Sequence, residues 1–424
     1  MFCGRSLRDC ADYMKENASE LCNGYAFNGS TYPSVSTIAR VFRNSAKVKI
    51  KPRPFVKPEH MARRVDFSLD YCCPVRGLTA EEKAQTAEYL QTNVDVDESW
   101  IVFHPGTGVI RCENYEDLAK MEEQVYPGDR FKKSPPKILV IAGVTAPRLL
   151  NPETCDTDGA EFDEKQRGVV FLARFASAKP VLRASKKHAA GSTKIVSTTC
   201  SGATYEYLMT GPHGLVTYMD KYYASDRELD DGIRVCDRPI PYGITTEYKT
   251  NEAERASAQM TARLAALPQD APVQRTPEQI AEVAARRVYI QQDNAGGHGF
   301  NNLHGGKETV EQTRMCQTLR ERGYDIVRQP PNTPNLNMCD LGFWNSMKSH
   351  ISAHTRVEWS ELSEEEIQEK LWELVKQCVA EFDPAKLFSI ALQKRVLMDR
   401  YIENGGAKIG KEPHTGVRQE WGLK

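Results

Sequence analysis

The segment VYIQQDNAGGHG, residues 288–299, joins the pattern of a buried strand to an acidic turn. Val288, Tyr289 and Ile290 are typical of a strand. The pattern ends at Asp293, which is followed by an asparagine and by glycines, the residues that form turns. An aspartate in this position either caps the turn or binds a metal ion. The strands and carboxylates elsewhere in the chain bear on that choice.

Strand patterns and helical patterns alternate along the chain. Alternating or continuous apolar residues predict strands at 93–104, 136–146, 167–175, 288–292 and 324–330, with a hairpin return at 106–112. Apolar stripes of helical period predict helices at 32–45, 59–73, 79–92, 197–223, 306–323 and 360–404, and one or two exposed helices within 251–287. Thr79 and Glu82 have the spacing of a capping box. This mixture predicts an α/β fold, a mixed sheet with flanking helices.

The composition is that of a globular protein long enough for two or three domains. The chain has 424 residues, of which 40% are apolar and 27% are charged. It lacks an apolar run of about 18 residues, so we expect no membrane span, and its first residues are too polar for a signal peptide. The 12 cysteines are scattered without a CxxC pair. They favour reduced thiols in a cytosolic or nuclear protein.

One segment is basic although the net charge of the whole chain is only −1. Between residues 31 and 64, nine lysines and arginines stand against a single acidic residue, Glu59. This local excess predicts a nucleic-acid contact surface. A solvated basic linker is the alternative. The predicted DNA contacts are Arg40, Arg43, Lys47, Lys49, Lys51 and Arg53.

Three aspartates lie where a metal site could use them. Asp97 lies inside the first predicted strand, with Asp95 as a rival on the same face, Asp293 ends a later strand, and Asp340 lies near a helix start. An aspartate at a helix start often serves the helix dipole, and one at a strand end often forms a turn. Asp97 differs from both, because burying a carboxylate in an apolar strand is costly unless a cation compensates it.

Together these carboxylates would form an all-oxygen site for Mg²⁺ or Mn²⁺. Two such ions, about 3.5–4 Å apart, can activate a water or a 3′-hydroxyl and stabilise the leaving oxygen in phosphodiester chemistry. The sequence has no histidine and cysteine cluster typical of zinc, and no glycine-rich motif for a nucleotide cofactor. We therefore predict two divalent ions bound by Asp97, Asp293 and Asp340.

Several motifs resemble those of the mariner-type transposases of the Tc/mariner superfamily. VDVDESWIVF (94–103) resembles the family's DEKWF strand, and KILVIAGVTAPR (137–148) resembles the strand and Pro-Arg pair that follow it. VYIQQDNAGGH (288–298) is similar to the second-aspartate motif. QPPNTPNLNMCDLGFWNSMKS (329–349) resembles the motif of the third acid, in the version that ends in aspartate. The resemblance runs from about Val35 to Gly416.

This resemblance implies an RNase H-like catalytic domain whose acidic triad maps onto Asp97, Asp293 and Asp340. Asp97 would be shared between two metal ions, and the other two aspartates would complete one ion each. The implied activity is cleavage of DNA at transposon ends and transfer of the freed 3′-hydroxyl into target DNA. The implied partner is double-stranded DNA, bound by a homodimer, and the implied location is the nucleus.

The amino-terminal region departs from the family pattern. The family begins with two helix-turn-helix units, but only PSVSTIARVFR (33–43) resembles the last recognition helix of such a unit. An inactive or domesticated DNA-binding relic is therefore an alternative to an active transposase, and a nuclease that acts on RNA is a third possibility. The predicted organisation is a remnant helix-turn-helix and basic linker (1–64), a helical connector (65–92), a catalytic domain (93–358) with an insertion (224–287), and a C-terminal helical segment (359–424).

Overall fold

The computed structural model describes a large part of the chain. The described residues are 56–103, 135–153, 159–184, 188–223, 235–241, 244, 288–293, 314–409 and 416–423. All of them belong to the unit Val56–Lys424. The predicted helix 32–45, the predicted hairpin return at 106–112, most of the predicted insertion and all six predicted DNA contacts lie outside the described residues.

The strands form a six-stranded mixed sheet and a small three-stranded sheet. The strands are β1 Asn93–Val102, β2 Lys137–Val144, β3 Val169–Arg174, β4 Ala176–Pro180, β5 Thr193–Ser197, β6 Val235–Cys236, β7 Ile240–Pro241, β8 Tyr289–Gln292 and β9 Asp325–Arg328. The large sheet has the order β6-β3-β2-β1-β8-β9, and the small one has the order β5-β4-β7. In the large sheet, β2 is antiparallel to both β1 and β3, whereas β8 is parallel to β1 and to β9.

Nine helices are described. They are α1 Pro58–Tyr71, α2 Ala80–Leu90, α3 Gly202–Thr210, α4 Leu215–Tyr222, α5 Arg314–Glu321, α6 Trp344–His354, α7 Glu364–Ala380, α8 Pro384–Glu403 and α9 Val417–Glu420. The predicted capping box at the start of α2 is confirmed, because Thr79 and Glu82 exchange hydrogen bonds. The segment 197–223, predicted as helical throughout, forms two helices, since α3 ends at Thr210 with Gly211 as its C-cap, and Gly214 is the N-cap of α4.

The large sheet is buried on both faces, which makes three layers. On one face, Ile101, Val140 and Ala142 belong to a core that includes residues of α6, α7 and α8. On the other face, Val94 and Val96 belong to a core that includes residues of α3, α4 and α5. Side chains of a strand alternate between faces, so β1 contributes to both cores. The predicted α/β class, a mixed sheet with flanking helices, is thus confirmed.

The hairpin of β4 and β5 was missed by the sequence prediction. Its second strand alternates between exposed and half-buried residues, and Ile195 is 36% exposed. A short, half-exposed strand of this kind lacks the buried apolar run that marked β2 and β3. Within the described part of the chain, no helix combines the length and apolar character needed to cross a bilayer.

The long helix α8 ties the first described helix to the sheet. Asp383 caps α8, and Pro384 occupies its first turn. Near the end of α8, Tyr401 packs with Phe67 of α1 in a third core. Just beyond α8, Gly406 has a positive φ of 76°. A Cβ atom there would collide with the Met61 backbone of α1, so this close contact between the two elements requires glycine.

Candidate active site

Strand register brings Asp97 beside Asp293. In the parallel pair of β1 and β8, Asn93 lies opposite Tyr289, and Asp95 lies opposite Gln291. Two residues further on, the same register places Asp97 opposite Asp293, which directly follows the last residue of β8. Side chains two residues apart share a face of a sheet. Asp97 and Asp293 are therefore on the face of Asp95 and Gln291, whose side chains both contact Lys394 of α8.

Asp340 is brought to the same place by a loop that is fastened to β1. The backbone N–H of Met338 donates to Oδ2 of Asp95 at 2.7 Å, and Nδ2 of Asn337 donates to the carbonyl oxygen of Val96 at 3.2 Å. Asp340 then lies in a π-helical turn, Cys339–Phe343, that precedes α6. The sequence predicted an ordinary first turn of a helix here. Because the residues just before this turn are bonded to Asp95 and Val96 of β1, the turn lies beside β1, where the charge of Asp340 acts on Asp97.

The electrostatics of the three carboxylates show that they are neighbours. Burial raises the pKa of Asp97 well above its usual range, and the negative charges of Asp340, Glu98 and Asp293 raise it further. A hydrogen bond from Nε1 of Trp344 to Oδ2 of Asp97, 2.8 Å long, opposes this rise of the pKa. The three carboxylates therefore repel one another, and a bound cation would relieve that repulsion.

Asp340 lies at the rim of this group, where its residue is exposed. Partial burial of the carboxyl group raises the pKa of Asp340, with Asp293 as the next cause, while Lys348 of α6 lowers it. Asp340 thus meets the charge of Asp293 on one side and a lysine on the other. The two neighbours act in opposite directions on the same carboxyl group.

The chemistry of the three carboxylates fits hard divalent ions. Within the described residues, no three histidine, cysteine, aspartate or glutamate side chains are arranged to hold one ion together. Carboxylate oxygens are the ligands that Mg²⁺ and Mn²⁺ prefer. The crowding of negative charge around Asp97 supports the same donor set.

A solvent-open cleft lies next to these carboxylates. Its volume is about 880 Å³, and both Asp293 and Asp340 line it. The proline-rich loop 330–334 forms one side, and residues of α1, including Phe67 and Tyr71, form another. A second cavity of about 630 Å³ is lined by residues of α2 together with Tyr223 and Val288, and by none of the three aspartates. Only the first of these two cavities therefore offers a substrate access to the carboxylates.

Asp95, the rival of Asp97, has a different environment. Its carboxylate is fully buried and accepts hydrogen bonds from Nζ of Lys394 at 2.7 and 2.9 Å, besides those from Asn93 and Met338. Burial lowers the pKa of Lys394 to about 8, although Asp95 opposes the change. With its oxygens engaged in this way, Asp95 fastens α8 and the loop to β1. It does not line the cleft.

Sequence reasoning missed Lys394. A signal for it does exist, since Lys394 lies on the stripe of α8 that also carries Leu387, Ala391 and Met398, all buried. A lysine on such a stripe is buried only when it has a partner. Its partner, Asp95, is nearly 300 residues away in the chain, so the pair was not recognisable locally.

Replacing Trp344 by phenylalanine is expected to move the acidic limb of the pH–activity profile to higher pH. The indole N–H stabilises the ionised form of Asp97, so its loss raises the pKa of that carboxyl group, and only the ionised form can bind a metal ion. The measurement is metal-dependent DNA cleavage between pH 6 and 9. The matched control is Trp421→Phe, which loses a hydrogen bond to the Val75 carbonyl oxygen instead. An unshifted profile in Trp344→Phe would contradict the role given to this hydrogen bond.

Comparison with known proteins gave structural neighbours only. No protein-family model matches the sequence, and no curated protein matches it significantly. Among solved structures, the chain is similar to the catalytic domain of Mos1 mariner transposase, with 11% identity and a TM-score of 0.36 over 85% of this chain and 100% of that one. It is also similar to a pre-cleavage Mos1 transpososome, with 12% identity and a TM-score of 0.38 over 95% of this chain and 78% of that one.

A third neighbour is the Mos1 strand transfer complex, with 13% identity and a TM-score of 0.34 over 96% of this chain and 79% of that one. Identities and TM-scores this low carry no conclusion about activity. A functional assignment therefore depends on the strand order and on the positions of the carboxylates within the chain itself.

Proposed function

We propose that the protein is a metal-dependent DNA nuclease and strand transferase of the transposase type, with Asp97, Asp293 and Asp340 as its metal ligands. The observation that carries the proposal is the convergence of three carboxylates from β1, from the end of β8 and from the π-helical turn. They lie in one mutual electrostatic field. The motif resemblance to mariner-type transposases supports the same three residues.

Each residue has a distinct part in the proposal. Two divalent ions, when bound, supply activation of the attacking oxygen and stabilisation of the leaving oxygen. The charges of both other carboxylates act on Asp97, which supports its assignment as the shared ligand. Trp344 holds one oxygen of Asp97 and leaves the other for metal. The fastening of the loop to β1 by Met338 and Asn337 fixes Asp340 opposite Asp97.

The raised pKa of Asp97 links metal binding to proton release. In the metal-free protein, burial and the neighbouring charges favour the protonated form of this carboxyl group. Metal binding requires the ionised form, so a proton leaves as the ion enters. We therefore expect metal affinity to rise with pH until Asp97 is fully ionised.

The test is nicking of supercoiled plasmid DNA in the presence of Mn²⁺. Wild-type protein is expected to nick the plasmid, and Asp293→Asn is expected to be slower by about a thousandfold, because losing a metal ligand removes several kcal/mol of transition-state stabilisation. Asp325→Asn is the matched control, since Asp325 is an exposed carboxylate at the start of β9 and does not line the cleft. Equal nicking by wild type and Asp293→Asn would rule out the proposal.

Other outcomes separate the alternatives from this proposal. Salt-dependent DNA binding without metal-dependent nicking by the wild type would favour the inactive, DNA-binding relic. Cleavage of an RNA duplex in preference to DNA would favour a nuclease acting on RNA. A homodimer on DNA, contacts from the basic segment 31–64 and a nuclear location belong to the proposal as consequences of a transposon substrate.

A further inference from the structure

Two arginines from different elements line the cleft beside the carboxylates. Arg328 is the last residue of β9 and lies opposite Gln292 in the parallel pair of β8 and β9. It is therefore one register step from Asp293. Arg63 is an exposed residue of α1 that lines the same cleft. The sheet edge and the helix thus bring two positive charges to one side of the proposed active site.

The neighbouring residue, Arg64, anchors this part of α1. The guanidinium group of Arg64 is buried and donates to the carbonyl oxygens of Asn332, Gly406 and Pro331 at 2.9, 3.2 and 3.3 Å. These bonds fasten α1 to the proline-rich loop on one side and to the end of α8 on the other. The ring of Tyr71 also packs on Tyr289 of β8, with centroids 4.7 Å apart. These contacts therefore hold the part of α1 that carries Arg63 beside the cleft.

The positive charges of the two arginines interact. Burial lowers the pKa of Arg328, and the positive charge of Arg63 lowers it further. Asp66 and Asp70, also of α1, border the same cleft and equal the two arginines in number. An anion between the two guanidinium groups would be attracted by both. Guanidinium groups bind phosphate through parallel N–H donors and stay charged at any physiological pH.

We propose that Arg63 and Arg328 together bind a backbone phosphate of the DNA strand that enters the cleft toward Asp293 and Asp340. This inference rests on the proposed function and adds a substrate-positioning pair to it. The carboxylates, with their ions, act on the phosphate that is cut. The arginines hold a neighbouring phosphate and so fix the register of the strand in the cleft.

The test is DNA binding without cleavage. A fluorescent DNA duplex is titrated with the full chain in EDTA at several KCl concentrations, using wild type, Arg63→Gln, Arg328→Gln and the double variant. Each phosphate contact contributes about 0.9 to the slope of log affinity against log salt. Because the pair is proposed to bind one phosphate, each single variant is expected to lower that slope by up to about 1 and to weaken binding by up to about tenfold near 0.1 M salt, and the double variant to lower the slope by about 1 in total.

Arg76→Gln is the matched control. Arg76 is an exposed arginine whose only ion pair among the described residues is a long contact of 3.9 Å with Glu420, and it does not line the cleft. The slope and affinity of this variant are expected to equal those of the wild type. Arg63→Lys keeps the charge and is expected to keep the salt slope, which guards against an effect of misfolding in Arg63→Gln.

The outcomes distinguish this inference from the proposed function. If the folded double variant binds DNA with the affinity and salt slope of the wild type, Arg63 and Arg328 do not bind a backbone phosphate, even if the wild type nicks DNA. A smaller salt slope in Arg63→Gln and in Arg328→Gln would support phosphate binding by the arginine pair. If the wild type also showed no metal-dependent nicking, the proposed nuclease activity would be contradicted while the arginine pair stood. A loss of the same size in Arg76→Gln would also overturn the pair, because charge alone would then explain it.

Discussion

Asp97→Asn is expected to abolish metal-dependent DNA cleavage and, at the same time, to stabilise the metal-free protein at neutral pH. The first effect follows from the loss of the ligand proposed to be shared by both ions. We expect a fall of about a thousandfold or more in the nicking rate, since both ions lose an oxygen ligand. The second effect follows from the raised pKa of this carboxyl group.

The sign of the stability effect is fixed by proton linkage. The pKa of Asp97 in the folded protein lies above its value in the unfolded chain. Between these two values the folded state binds more protons, so stability falls as pH rises through this range. Neutral pH lies above the pKa of an aspartate in the unfolded chain, so the Asp97 carboxyl group opposes folding there. Asparagine carries no charge and still accepts the hydrogen bond from Trp344.

We expect Asp97→Asn to raise the free energy of unfolding by about 0.5–2 kcal/mol at pH 7, the range common for single stabilising substitutions. The measurement is urea unfolding in EDTA at pH 7 and at mildly acidic pH, where the gain is expected to shrink. Added Mn²⁺ is expected to stabilise the wild type and not the variant. A variant less stable than the wild type at pH 7 in EDTA would contradict the environment described for Asp97.

Lys394→Met is expected to cause the largest loss of stability of the variants considered. Lys394 and Asp95 are 1% and 0% exposed, and their side chains are 2.7 Å apart at the closest atoms. Removing the lysine leaves a buried carboxylate without its cation. Breaking such a buried pair from one side costs about 3–5 kcal/mol. The loop that carries Asp340 is bonded to the same carboxylate, so the nicking rate is expected to fall as well.

Urea unfolding of Lys394→Met, Lys386→Met and the double variant Asp95→Asn/Lys394→Met measures this contribution. Lys386 is an exposed lysine of the same helix, and its replacement is expected to change stability by less than about 0.5 kcal/mol. The double variant is expected to recover much of the loss, because it removes the unpaired charge. A loss below about 1 kcal/mol in Lys394→Met would show that the buried pair is not important for stability.

The sequence predicted the strands that carry the site because their patterns are local. The apolar run of β2 and the alternation of β1 are visible in a short window, as is the capping box at Thr79. The hairpin of β4 and β5 was invisible for the opposite reason, since its strands bury little apolar surface. Local patterns therefore predicted the fold class and left the small sheet unpredicted.

The choice between Asp95 and Asp97 could not be made from local sequence. Both lie on one face of β1, and both follow an apolar neighbour. They differ in their partners: Asp95 forms an ion pair with Lys394, whereas Asp97 accepts a hydrogen bond from Trp344. Both partners come from helices more than 200 residues away along the chain. The parallel pairing of β1 and β8 also sets Asp97 opposite Asp293. The sequence of either strand alone does not predict this pairing.

Counting the Mn²⁺ ions bound by the metal-free protein tests the central claim most directly. Titration followed by the electron paramagnetic resonance of free Mn²⁺ gives the number of bound ions for the wild type, Asp97→Asn and Asp325→Asn. The account predicts two ions for the wild type and for Asp325→Asn, and loss of both sites in Asp97→Asn. Binding of Mn²⁺ by Asp97→Asn with the number and affinity of the wild type would contradict it.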